Sequence, residues 1–200
     1  MNKSRFLETL MVLNGELQHA EDHHRRMERT AKEAFGTTKF DFPNIVVPPE
    51  YHNGIVKCRM VYGEKIDQIS FAHYTPLTIR SLRIVEAPPV LDYHLKYADR
   101  SELNALSALR NGCDEVLIVK DGELTDTSYS NIVLSDGTEF ITPRATLLNG
   151  TRRQRLLSEG KIRQEKLTPG DLGRFREIIL INAMLGLEEP IAIPTDRIFY

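Results

Sequence analysis

Two hundred residues with 41% hydrophobic content can bury one large core or two small ones. Lys and Arg (26) nearly balance Asp and Glu (28), and the formal charge of -2 gives no electrostatic case for nucleic acid or an anionic membrane. Cys58 and Cys113 stand far apart and outside any CxxC spacing, which argues against a disulfide scaffold or zinc ribbon and fits a reducing compartment.

No histidine falls in an HExxH pattern, so no metal site is expected. The apolar run Leu10 to Leu13 is too short for a signal-peptide core, and no stretch approaches the ~20 apolar residues of a membrane span. A cytoplasmic protein is expected.

Phe6 to Leu13 reads as a strand closed by the Asn14-Gly15 turn. A helix follows from about Ala20 to Phe35, where His24, Met27, Ala31 and Ala34 recur at helical spacing, and Gly36 is placed to end it. Thr37 to Asn53, with three prolines, reads as a loop with room for a short helix. Strands are expected at Ile55 to Tyr62, Ile66 to His73 and Thr78 to Val85; in the first, Val56, Cys58, Met60 and Tyr62 share one face. Pro88-Pro89 marks a hinge, giving a smaller lobe at 1–87, a linker at 88–94 and a larger lobe at 95–200.

In the second half, a helix from Ser101 to Arg110 ends at Asn111-Gly112. Glu115 to Lys120 turns through Asp121-Gly122 into Glu123 to Thr127, and Ile132 to Leu134 turns through Asp136-Gly137 into Glu139 to Thr142. Gly150 precedes a helix to about Ser158; Ile162 to Lys166 is a short strand, Asp171 to Phe175 a helical turn and Ile178 to Ile181 an apolar strand. Hairpins mixed with isolated helices argue for α+β rather than a doubly wound sheet.

Four blocks could carry chemistry: His23-x-x-Arg26; Lys96; Asp126-Thr127-Ser128-Tyr129-Ser130-Asn131; and Asn149-Gly150-Thr151-Arg152-Arg153. Each has an ordinary reading alone. Lys96 and Arg26 could be solvated, Asp126 a turn residue, Ser130 and Asn131 loop braces, and Gly150-Thr151 a plain helix start.

Taken in order, with K-Y-A-D-R, G-C-D-E-V-L-I, L-T-D-T-S-Y-S-N-I, T-P and L-L-N-G-T-R-R between Lys96 and Arg153, the sequence resembles the class IV aminotransferase family of pyridoxal-phosphate enzymes. That family includes branched-chain and D-amino-acid aminotransferases and 4-amino-4-deoxychorismate lyase. The resemblance implies a two-lobed α+β architecture of fold type IV, here with a shortened N-terminal lobe. It also implies a homodimer, with the cofactor between the lobes.

By the same resemblance, Lys96 matches the Schiff-base lysine, which also moves the substrate's α-proton. Asp126 stands where most members place a glutamate against the pyridine nitrogen. Arg26 matches the phosphate-binding arginine, and the Gly150-Thr151-Arg152 turn presents helix N-terminal amides to the phosphate. Arg152 replaces a common threonine. Ser130 and Asn131 match a Ser-Asn pair that lines the ring or braces the loop.

The reaction is left open between an amino-group transferase acting on an amino acid and a 2-oxo acid, the first reading, and aminodeoxychorismate lyase. A third reading is a non-catalytic relative that binds the cofactor. Lys96 to Arg100 and Asn182-Ala183-Met184 are similar to the lyase, although Asp99 replaces its usual asparagine. Arg59, Asn182 and Met184 are the substrate-proximal candidates, with Arg80 a further carboxylate-binding group.

Overall fold

The computed structural model describes residues 5–37 and 39–200; residues 1–4 and position 38, within the stretch read as a loop, lie outside them. The chain divides into two compact units, one of residues 1–76 with 95–99, the other of 77–94 with 100–200. The Pro88-Pro89 pair falls inside the second unit, where Leu91 N donates to Pro88 O and Ala87 N to Val119 O.

In the first unit, β1 (Phe6–Leu13), β2 (Glu16–Leu17), β3 (Ile55–Tyr62) and β4 (Ile66–His73) form an antiparallel sheet in the order β2-β1-β3-β4. Asn14 and Gly15 turn the first hairpin with φ of 49° and 86°, the left-handed pair that matches strand twist. Helix α1 (Ala20–Phe35) buries His23, Arg26, Met27, Thr30 and Ala31 and ends at left-handed Gly36. In register, Phe6, Glu8, Leu10 and Val12 face Tyr62, Met60, Cys58 and Val56, and all eight are buried. The alternation read in β3 is therefore the core face. A 3-10 turn at Pro49–Tyr51 is the only regular element in the described part of the intervening loop.

The second unit holds two mixed sheets. Strands β5 (Leu82–Glu86), β6 (Glu115–Lys120), β7 (Glu123–Leu124) and β13 (Ile198–Phe199) lie in the order β13-β5-β6-β7, with β5 parallel to both neighbours. Strands β8 (Asn131–Ser135), β9 (Phe140–Pro143), β10 (Arg163–Glu165), β11 (Glu177–Ile181) and β12 (Ile191–Pro194) lie in the order β10-β9-β8-β11-β12. Helix α2 (Ser101–Ala108) precedes β6, and α3 (Thr151–Ser158) contributes Leu156 to a core with Val133, Ile162, Ile179 and Ile181. Helices and sheets in these proportions, with antiparallel and parallel pairs together, make the fold α+β.

Two strands differ from their sequence reading for visible reasons. β5 starts at Leu82 rather than Thr78 because the Asp114 carboxylate takes the Arg80 amide and the Ser81 hydroxyl. β7 ends at Leu124, yet Thr125 N donates to Ile118 O and Ile118 N to Asp126 O, so pairing continues as a bulge toward Asp126. Among the described residues, no helix is long and apolar enough to cross a membrane.

Candidate functional site

In the first unit the alternation of β1 puts one charged side chain, Glu8, on an otherwise apolar face, and α1 supplies its partners. His23 and Arg26, three residues apart, share the helix face over β1. Arg26 Nε donates to Glu8 Oε1 at 2.8 Å and Nη2 to Oε2 at 2.6 Å, while His23 Nδ1 lies 2.5 Å from Oε2. Burial penalises the Glu8 charge, but Arg26 and then His23 outweigh it and hold the carboxyl down at about 2. Arg26, read as a phosphate ligand, is thus a buried guanidinium set by a carboxylate. The sequence reading missed Glu8; its signal was an acid at an inward position of the alternating strand.

Lys96 lies in the five-residue segment that returns to the first unit. Leu7 N donates to Lys96 O and Ala98 N to Arg5 O, both at 2.8 Å, and Tyr97 bridges Phe6. The segment thereby runs antiparallel along the start of β1. Tyr97 packs its ring on Phe6, with centroids 5.5 Å apart, so pleat alternation sends the half-buried Lys96 to the face of Leu7 and Thr9. Arg59 pairs with Thr9 and shares that face, opposite α1. Lys96 and Arg59 therefore lie on one side of the sheet and Arg26 on the other.

In the second unit, hydrogen bonds join Asp126 to Asn131 and Ser130 to Asn182. Asp126 is buried, and its Oδ2 accepts the backbone amides of Leu147 at 2.9 Å and Leu148 at 2.8 Å. Its Oδ1 accepts Asn131 Nδ2 at 2.7 Å, and the same amide group donates to Leu148 O. Burial pushes the Asp126 carboxyl up to about 6, against these hydrogen bonds and the charge of Arg153. Ser130 is turned by Thr127, whose amide donates to Ser130 O and whose hydroxyl accepts the Ser130 amide. Asn182 Nδ2 donates to Ser130 Oγ at 3.0 Å, and its Oδ1 accepts the amides of Met184 and Leu185. Arg100, the arginine of K-Y-A-D-R, donates to Ser128 O.

Gly150 begins α3 with φ -67° and ψ 148°, which any residue adopts. Its lack of a side chain answers a different need: a Cβ there would stand 2.1 Å from Asn131 Oδ1. The first turn of α3, from buried Thr151, presents amides with no acceptor of their own in the helix. Arg152 runs beside Gly186, where an added Cβ would meet its Nη1 at 3.3 Å. Arg153, quoted in the motif but given no role from sequence, is buried and spends its donors on Thr142 Oγ1, Asn149 Oδ1, Pro143 O and Gln164 Oε1. It locks the 143–150 loop to α3. The buried Asp126 carboxylate and the start of α3 are thereby tied through one turn, 147–150. Among the described residues, no three His, Cys, Asp or Glu side chains gather as metal ligands would.

Comparison with known proteins agrees with this architecture. An uncharacterized protein of Haemophilus influenzae is 38% identical over 184 residues, spanning 90% of this chain and 97% of the relative. A crystal structure described as a candidate 4-amino-4-deoxychorismate lyase from Haemophilus somnus is 28% identical, with a TM-score of 0.81 over 94% of this chain and all of the other. A candidate amino-acid aminotransferase from Mesorhizobium loti, 21% identical over 94% of this chain and 98% of its own, shares the fold with a TM-score of 0.73. The fold is the α+β architecture of fold type IV. The family described as Amino-transferase class IV matches residues 59–188, well over half the sequence, and the chain belongs to that family.

Proposed function

We propose that the chain is a pyridoxal-phosphate enzyme that binds its cofactor through Lys96. The observation that carries this reading is the network joining Asp126, Asn131, Gly150 and the start of α3: a buried carboxylate, tied to a helix N-terminus that favours an anion. Those residues fit a ligand with a basic ring nitrogen at one end and a phosphate at the other. Bound pyridoxal phosphate supplies an electron sink that lets a bond at the substrate's α-carbon ionise.

The residues have separate tasks in this proposal. Lys96 Nζ would hold the cofactor and would move the proton at the substrate's α-carbon. Asp126 Oδ1, which accepts one hydrogen bond from Asn131, keeps a lone pair for the proton at the ring nitrogen. The amides of Thr151 and Arg152 would bind phosphate oxygens. Ser130 and Asn131 brace the ring side. Arg59, Asn182 and Met184 stand nearer the substrate.

For the reaction, we infer cleavage of 4-amino-4-deoxychorismate to pyruvate and 4-aminobenzoate. The likeness to the Haemophilus somnus protein over 94% of this chain favours it, together with Asn182 closing on the Met184 and Leu185 amides in the lyase-like Asn-Ala-Met segment. Amino transfer, first on sequence alone, is the second reading and is favoured by the family description. A homodimer is proposed with either.

The test is spectroscopic. Purified protein given pyridoxal phosphate is expected to show a yellow band that borohydride traps on Lys96 and that Lys96→Ala lacks. The loaded enzyme should release pyruvate from aminodeoxychorismate without a 2-oxo acid. If an amino acid alone bleaches the band and no pyruvate appears, amino transfer replaces the lyase reading. Wild-type protein with no band, or one kept in Lys96→Ala, would sink the Lys96 assignment and favour a non-catalytic relative.

A further inference from the structure

The Asp126 carboxylate is divided between two jobs, and its second oxygen points to one that ring chemistry does not need. Both acceptor positions of Oδ2 are taken by consecutive backbone amides, Leu147 and Leu148. Those residues lead directly into Asn149, Gly150 and the first turn of α3. Oδ1 meanwhile binds Asn131, whose amide group also grips Leu148 O and whose Oδ1 fills the space above Gly150. The turn is thus held from one side by Asp126 and Asn131. Arg153 and its bonds to Asn149 Oδ1 and Pro143 O hold it from the other.

Resting on the anion site proposed above, we infer that Asp126 is a positioning residue for the phosphate: through Oδ2 it fixes the 147–151 turn in its anion-binding shape. This task depends on an acceptor oxygen, not on negative charge. A negative charge in the same site as an anion would, by itself, weaken binding. The ring task proposed for Oδ1 depends on the charge. One residue therefore carries two separable functions, and asparagine separates them. Asp126→Asn keeps a carbonyl oxygen for the two amides while removing the charge, and sets an NH2 donor in place of the Oδ1 that accepts Asn131; Asp126→Ala removes every acceptor.

The experiment measures affinity for inorganic phosphate and for pyridoxal, which lacks the phosphate, with wild type, Asp126→Asn and Asp126→Ala at one pH. Expected is a loss of about 10-fold or more in phosphate affinity in Asp126→Ala, because two buried amides lose their acceptor and the turn relaxes. Asp126→Asn should lose several-fold less than Asp126→Ala, since the two amides keep a neutral acceptor while the Asn131 hydrogen bond is lost. Pyridoxal attachment to Lys96 should not follow this phosphate pattern. Phosphate affinity unchanged in Asp126→Ala, or lost equally in Asp126→Asn, would overturn the inference.

Should Asp126→Ala fail to fold, hydrogen exchange at Leu147 and Leu148 decides between wild type and Asp126→Asn. Retained protection supports the brace; exchange faster by about 10-fold or more at those two amides alone overturns it. If pyridoxal never attaches to Lys96 while phosphate affinity behaves as expected, the Lys96 proposal fails and this inference stands.

Discussion

Gly150 is required by its neighbour, not by its own backbone. With φ at -67°, alanine fits the main chain, but its Cβ would meet Asn131 Oδ1 at 2.1 Å. Gly150→Ala is therefore expected to cost about 1–3 kcal/mol as overpacking of a rigid site, read from urea unfolding. Adding Asn131→Ala removes the colliding atom, so the double variant should lose less than the sum of the two single losses. Strict additivity would show that the glycine serves some other need. Sequence reading placed both residues in the site, yet their collision joins positions nineteen apart that no local pattern connects. Asp126 was legible as a carboxylate but its two amide donors were not, because backbone amides have no letter in a sequence.

At the scale of elements, β1 and α1 are stapled by one buried ionic cluster. Replacing Glu8 with alanine strands Arg26 without its carboxylate, and a loss of about 3–5 kcal/mol is expected in urea unfolding. A loss near that of an exposed substitution would show that Arg26 finds a replacement partner. The bounds of β1, α1, β3, β4, β6 and α3 agree with the sequence reading because clear punctuation surrounds them, such as Asn14-Gly15, Gly36, Asp121-Gly122 and Gly150. Where a side chain from a distant segment intervenes, the reading fails; Asp114 captures the start of the stretch read as β5. The two- to four-residue strands β2, β12 and β13 exist through their neighbours and have no periodicity of their own to display. The Lys96 segment was recognised by its wording, while its pairing beside β1 is a long-range contact that only the folded chain supplies.

For the molecule as a whole, Glu8 and Asp126 pull the pH dependence of stability in opposite directions. Glu8 is depressed to about 2, so its contribution is present above the ordinary carboxyl value of 4.5 and is lost as pH falls toward 2. Asp126 is raised from 3.8 to about 6, so its contribution is present below 3.8 and is lost as pH rises through 6. Each amounts to a change on the order of 3 kcal/mol across its window. Asp126→Asn should therefore narrow the difference in urea midpoint between pH 4 and pH 8, and Glu8→Gln should flatten the fall below pH 4.5. A pH profile unchanged in either variant would contradict the corresponding assignment.

The five residues around Lys96 belong to the first unit although the chain on both sides of them belongs to the second. Such a course prevents the lobes from behaving as exchangeable cassettes. A first lobe cut out at Pro76 would leave behind the segment that pairs with its opening strand, and with it the proposed anchoring lysine. A new first lobe grafted onto this second one would have to accept a foreign strand along its β1 edge. Chimeras that respect only the Pro76 boundary should fold poorly, with a lower urea midpoint than chimeras that carry residues 95–99 along with the first lobe.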